Sequence, residues 1–136
     1  MNIRLETADL GAAVAEVVFA PLGREDLRRY AQASGDSNPL HLDPEFARQA
    51  GFDDVIVHGM LGMALLGRLL EETFPSNPLQ LFRSRFRSII PLGEAIKCTA
   101  RLEQRAGESA VLTLTAAIRE TVVIEGSATL GLRPVQ

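Results

Sequence analysis

Cysteine is nearly absent from this chain of 136 residues. Cys98 stands alone in an alternating apolar stretch, so neither an internal disulfide nor a cysteine-rich metal site can be built, and it reads as a core or half-buried thiol. An excess of basic charge is missing too. Fourteen basic residues, thirteen of them arginine, are scattered and outnumbered by seventeen acids for a net charge of −3, which leaves no footprint for nucleic acid. The first residues, from Met1 to Glu6, lack the charged start and apolar run of a signal peptide, so a cytoplasmic protein is the simplest expectation. Nor is a bilayer span present. The greasiest stretch, residues 55–70, is too short and is interrupted by His58, Gly59, Gly62, Gly67 and Arg68, so it reads as a helix buried in protein. Repeats and low-complexity segments are lacking. What remains is ordinary globular composition, 46% apolar and 23% charged, at a length that fits one domain over residues 1–136.

Histidine is scarce as well, and both copies fall in one region. Asp36-Ser37-Asn38-Pro39-Leu40-His41 is followed seventeen residues later by His58-Gly59-Met60. A carboxylate and an imidazole thus sit five residues apart, and Asn38-Pro39 between them disfavours a helix, so the stretch reads as a rigid loop. An ionisable pair on a stiff loop suits acid/base or water-handling chemistry. The plainer alternative is an Asx-type turn, with Asp36 or Asn38 bonding its own backbone and His41 as a capping or packed residue. Asp43-Pro44-Glu45 is a good helix start, with Asp43 as N-cap, which fixes the loop from its other side.

Along the chain, valine-rich residues 13–20 predict a first strand ended by Pro21. Residues 23–33 predict a short helix ended by Ser34-Gly35, and residues 44–49 a second one closed by Gly51. The main helix, from Gly59 to about Phe74, is apolar on nearly every side and has to be surrounded. Residues 79–90, 95–105, 109–119 and 122–132 read as strands joined by short turns at 91–94 and 106–108, which predicts an antiparallel sheet. The fold class is α+β: one strand, small helices, a long central helix, and strands curling around it.

The run Tyr30-Ala-Gln-Ala-Ser-Gly-Asp-Ser-Asn-Pro-Leu-His41, then Asp43, Phe46, Ala47 and Val57-His58-Gly59-Met60, closely resembles the hydratase motif of the MaoC-like, or (R)-specific enoyl-CoA hydratase, family. Arg85-Phe86-Arg87 and the Gly93-Glu94 turn resemble that family's later strand and turn. The resemblance implies a hot-dog fold, a long helix wrapped by a curved antiparallel sheet, usually paired with a second copy. It implies that Asp36 and His41 hold and activate one water, which adds to the β-carbon of a trans-2-enoyl thioester on coenzyme A or acyl carrier protein. The reverse reaction dehydrates a (3R)-hydroxyacyl thioester. Neither a metal nor a redox cofactor is implied. By the same resemblance the Gly59 N–H, at the positive end of the main helix, binds the thioester carbonyl as charge grows on it. Asn38, His58 and Met60 are then loop supports or substrate contacts.

Two departures stand out. Short-chain relatives carry a serine where this chain has Gly67, and the Pro-Val step after their Phe-Arg strand is replaced by Ile89-Ile90, which leaves the acyl pocket open to differ. Arg83, Arg85 and Arg87 alternate along one strand, so they could meet coenzyme A phosphates or an acidic carrier protein, or else form a solvated face. Thioesterase activity and a non-catalytic acyl-binding subunit are the competing functions. The histidine-bearing motif favours the hydratase over the first, and the retained dyad favours it over the second. A sheet edge with little charge, and a short chain with little depth for a long acyl group, predict a homodimer or higher homo-oligomer.

Overall fold

The computed structural model describes residues 3–133. Its elements are β1 (Ala13–Phe19), α1 (Arg24–Ser34), a 3₁₀ turn (Pro39–His41), α2 (Pro44–Gln49), α3 (Gly59–Thr73), β2 (Leu79–Phe86), β3 (Ile96–Ala106), β4 (Ser109–Ile118) and β5 (Thr121–Gly131). The five strands form one antiparallel sheet in the order β1-β3-β4-β5-β2, giving the α+β hot-dog arrangement.

Alternation decides which face of the sheet is covered. Ala110, Leu112, Leu114, Ala116 and Ile118 of β4, and Ile96, Cys98, Ala100 and Leu102 of β3, are buried at every second position. Against this surface lies α3, which contributes buried Leu65, Leu66, Leu69 and Leu70 and packs on β1, β3 and β4. Each fully buried leucine contributes about 2 kcal/mol. Every strand pair carries a register irregularity, such as those at Ala13/Ala15 and Leu102/Gln104, and such bulges bend the strands. Close approach also needs Gly62: a methyl there would sit 2.5 Å from Cδ1 of Ile90 and 2.8 Å from Cδ1 of Ile124.

Three features depart from the sequence reading. Although β3, β4 and β5 are consecutive neighbours, β2 pairs with β5 and lies at the opposite side of the sheet from β1, so the 91–94 turn does not close a hairpin. The segment after β2 instead crosses the N-terminal end of α3, where Val57 N–H reaches the Ile90 carbonyl and Ile56 bridges to Pro91. Secondly, β2 stops at Phe86 rather than near residue 90, because the N–H groups of Arg87 and Ser88 both turn to the Val123 carbonyl. Thirdly, Pro39 opens a 3₁₀ turn. Proline restrains the residue before it, Asn38, which stays extended, but is well suited to a first helical position.

The far end of α3 is closed by a polar clasp. Glu6, its side chain only 1% exposed, accepts from the Asn77 amide at 2.9 Å and the Arg133 N–H at 2.9 Å, while Asn77 also donates to the Gly131 carbonyl at 2.8 Å. One carboxylate thereby ties the N-terminal segment to the end of the sheet. Among the described residues no helix is long and apolar enough to cross a membrane.

Candidate active site

The loop entering the site is restrained at almost every residue. Gly35 ends α1 in the left-handed region at φ 80°, which glycine tolerates, and the Asp36 N–H then donates to Ser34 Oγ at 3.1 Å. Both Asx interactions anticipated as the plainer reading are present: Asp36 Oδ1 accepts from the Asn38 N–H at 3.4 Å, and Asn38 Oδ1 from the Leu40 N–H at 3.0 Å. The second caps the 3₁₀ turn. Asp43 then caps α2 through the N–H groups of Glu45 and Phe46. The turn is pinned to residues 55–57 as well, since the Ile56 N–H donates to the Leu40 carbonyl at 3.0 Å.

This scaffold brings Asp36, His41 and His58 together, with one polar side-chain atom from each within 4.8 Å of the others. Asp36 is exposed, His41 half-buried and His58 buried. The carbonyl of Ile56 lies 2.7 Å from His41 Nδ1, and a carbonyl can only accept, so Nδ1 carries the proton. Nε2 of a neutral His41 is then left as the basic nitrogen. By the same reasoning His58 Nε2 donates to the Asp36 carbonyl at 3.1 Å. The two imidazoles stack, centroids 3.8 Å apart and planes 23° apart. Loss of hydration pushes His58 below its ordinary value of 6.5, nearby His41 adds to this, and the bond to the Asp36 carbonyl partly opposes it.

Could this carboxylate and two imidazoles hold a metal? An imidazole ligates through a lone pair in its ring plane, and two rings stacked face to face present lone pairs in separate, nearly parallel planes. The stacked geometry does not favour a shared ion.

His41 and Gly59 line one hollow of about 390 Å³, together with Ile56, Phe86, Arg87 and Ile90. Gly59 is the first residue of α3, and its N–H has no backbone acceptor among the described residues. A methyl on Gly59 would meet the Phe86 ring at 3.3 Å, so the glycine leaves room for a ligand beside that amide. Met60 is exposed and lies outside this wall.

The arginine row is not one unit. Arg83 and Arg85 are exposed on β2, where they line an outer hollow of about 430 Å³ with Thr113, Glu125 and Ser127. Arg87 lies past the end of the strand, pairs with Glu125, and belongs to the hollow that holds His41. Sequence reasoning also missed Ile56, which acts only through its carbonyl and so has no side-chain signal. Phe86 was readable in principle, because Phe82 and Phe86 share one face of β2. Cys98 is fully buried, and burial pushes its thiol up to about 12, so it takes no part.

With this geometry in view, the comparison with known proteins is direct. The MaoC like domain matches residues 7–124. The chain belongs to the MaoC-like dehydratase family. It is 32% identical over 133 residues to the 3-hydroxyacyl-thioester dehydratase Z of Mycobacterium tuberculosis, covering 89% of this chain and 86% of that one. It is 37% identical over 111 residues to a mitochondrial 3-hydroxyacyl-[acyl-carrier-protein] dehydratase of Arabidopsis thaliana, covering 77% and 67%. Among solved structures, the (R)-hydratase of Aeromonas caviae superposes with a TM-score of 0.85 at 26% identity, over 94% of this chain and 99% of that one.

Proposed function

We propose that the protein is a hydro-lyase that adds water to trans-2-enoyl thioesters to give (3R)-3-hydroxyacyl thioesters, or runs the reverse dehydration. The observation that carries this reading is that His41, its Nδ1 tied to Ile56, stands beside Asp36 on one side and on the other shares a hollow with Gly59, whose N–H has no backbone acceptor among the described residues. Water held between Asp36 and His41 attacks the β-carbon, and its proton passes to the pair as the O–C bond forms. The thioester oxygen gains negative charge and is held by the Gly59 N–H, a role worth about 3–4 kcal/mol for a single donor. The same pair returns a proton to the α-carbon, which closes the balance for addition of one water. No redox step occurs and no cofactor is required by this chemistry. Relatives named as dehydratases of 3-hydroxyacyl thioesters support the reading.

The acyl tail runs along the seam between α3 and β2 once the Phe82 and Phe86 rings that close it move aside. Gly59 lies under Phe86 and Gly67 under Phe82, and a groove of about 700 Å³ lined by Gly67, Leu70, Phe82 and Leu130 continues beyond. Eight helical residues span about 12 Å, and four strand residues about 13 Å, so the two glycine–phenylalanine contacts keep step. Displacing these two rings would join the hollow at Gly59 to the groove beyond Gly67 and admit chains longer than a four-carbon acyl group. The carrier is coenzyme A or an acyl carrier protein, and Arg83, Arg85 and Arg87 meet its phosphates or acidic surface in this reading; that Arg83 and Arg85 are exposed and Arg87 lines the His41 hollow supports it. A second copy pairs along the outer edge of β2, where Leu79 and Leu81 are 50% and 40% exposed. The enzyme works in the cytoplasm, and residues 1–136 form one hot-dog domain.

Loss of enoyl absorbance with crotonyl-CoA and a longer trans-2-enoyl-CoA, followed by chiral analysis of the alcohol, tests this. Formation of the (3R)-alcohol, faster with the longer chain, is the expected result. Release of free thiol without hydration would replace the reading with a thioesterase.

A further inference from the structure

His58 is one of two buried polar or charged residues among those described, 1% exposed beside Asn77 at 7%. The comparison between them is instructive. Asn77 uses its amide N–H groups twice, donating to Glu6 and to the Gly131 carbonyl. His58 instead keeps Nδ1 buried with no partner. An unmade bond of that kind costs about 1–3 kcal/mol, which a phenylalanine of similar shape would avoid. Packing alone therefore does not account for an imidazole here.

Three contacts say what it is used for. The Nε2–H donates to the backbone carbonyl of Asp36, so it holds the residue that carries the carboxylate. Its face lies on the His41 ring, and its other near aromatic neighbour is Tyr30 of α1, edge-on with centroids 4.8 Å apart. Finally, His58 is the N-cap of α3, so the Gly59 N–H follows it directly in the chain. Among the described residues His41 has a single ring hydrogen bond, to Ile56, which leaves its plane to be set by what stacks on it.

We propose that His58 is the positioning residue of the site: through one hydrogen bond and one stacked face it fixes Asp36 and His41 relative to each other and to the Gly59 N–H. It touches neither substrate nor water. The titratable groups packed against it are Tyr30 from α1, Asp36 from the loop and His41 from the 3₁₀ turn. Its depressed basicity is in keeping with a ring that stays neutral while its neighbour handles protons.

The kinetic half of the test rests on the hydratase reading, and the spectroscopic half does not. The chain has only two histidines, so nitrogen NMR of the wild-type protein can report both tautomers. His58 is expected as the Nε2–H form and neutral His41 as the Nδ1–H form. His58→Phe keeps the stacked ring and loses the donor, while His58→Gln keeps a donor and loses the stack. Each is expected to lower kcat by about 10²-fold with KM nearly unchanged, the loss produced by a small misplacement. In His58→Gln the His41 tautomers become mixed. Wild-type kcat in either folded variant, or His58 found as the Nδ1–H tautomer, overturns the proposal. Should neither variant fold, the wild-type tautomers decide it alone. A wild-type protein that hydrates nothing yet shows both expected tautomers would remove the proposed reaction and keep the positioning.

Discussion

At its N-terminal end α3 meets a loop whose side chains are exposed or half-exposed and whose backbone is tied down residue by residue; at its C-terminal end it meets a carboxylate and an amide buried together. The loop spends its hydrogen bonds on main chain, leaves His41 Nε2 without one, and sets His41 beside Asp36 on one side and in one hollow with Gly59 on the other. The clasp does the reverse: Glu6 Oε2 accepts from the Asn77 amide and the Arg133 N–H, and Asn77 donates also to the Gly131 carbonyl, with no reacting group nearby. Groups at the first end should govern rate and hardly affect stability. Those at the second should govern stability and hardly affect rate.

The strongest way to break this contrast is His41→Ala. Loss of a general acid/base is expected to lower kcat by about 10³-fold, with the melting temperature close to wild type, because His41 is only half-buried and its backbone bonds remain. Unfolding of this variant at a much lower temperature would erase the distinction.

Two glycines sharpen it. Gly59→Ala places a methyl against Phe86, which is 47% exposed and can swing aside, so stability changes little while the space beside the proposed oxyanion donor is filled. Turnover should fall by about 10²-fold, the scale of losing one such donor. Gly62→Ala, three residues on, drives a methyl into Ile90 and Ile124, both buried, and should destabilise the fold by about 1–3 kcal/mol. Denaturant unfolding beside initial-rate kinetics reads both, and equal stability losses would remove the contrast.

At the clasp, Asn77→Ala withdraws the amide from a buried carboxylate and should cost about 1–3 kcal/mol, leaving kcat within twofold.

The smallest effect concerns acid. Burial pushes Glu6 up, yet the Arg133 N–H, the Asn77 amide and the Arg133 charge together hold it below its ordinary 4.5. Its stabilisation is therefore present above 4.5 and is lost as pH falls through the folded value. His58 acts earlier, because below 6.5 the unfolded chain takes up a proton that the folded imidazole refuses, so stability declines from there until the folded value is passed. Unfolding free energies across pH 3–8 should thus fall in two stages (a range of about five pH units), and Glu6→Gln should remove the lower one alone.

Much of this was legible in the sequence, for reasons that differ by region. Period-two burial in β3 and β4 and the all-round apolar α3 follow from local pattern. The place of β2 beside β5 does not, since the same alternation suits a hairpin with β3, and only the crossing of residues 87–95 over the end of α3 excludes it. Within the site, the motif spacing pointed to Asp36, His41 and Gly59, and Pro44 with Asp43 marked the helix that frames them. The tautomer of His41 was invisible, because it depends on the Ile56 carbonyl. So was the stacking of His58, which needs two segments seventeen residues apart to fold face to face.

Asp36→Asn, followed by turnover and thermal unfolding on the same preparation, tests the central claim most directly. Asparagine keeps an Oδ1 acceptor for the Asn38 N–H, so the loop should survive while the carboxylate base is gone. A fall in turnover of at least about 10²-fold, with an unchanged unfolding midpoint, is the predicted result. Turnover within a few-fold of wild type in the folded variant would contradict the assignment of this end of α3 as the site of hydration.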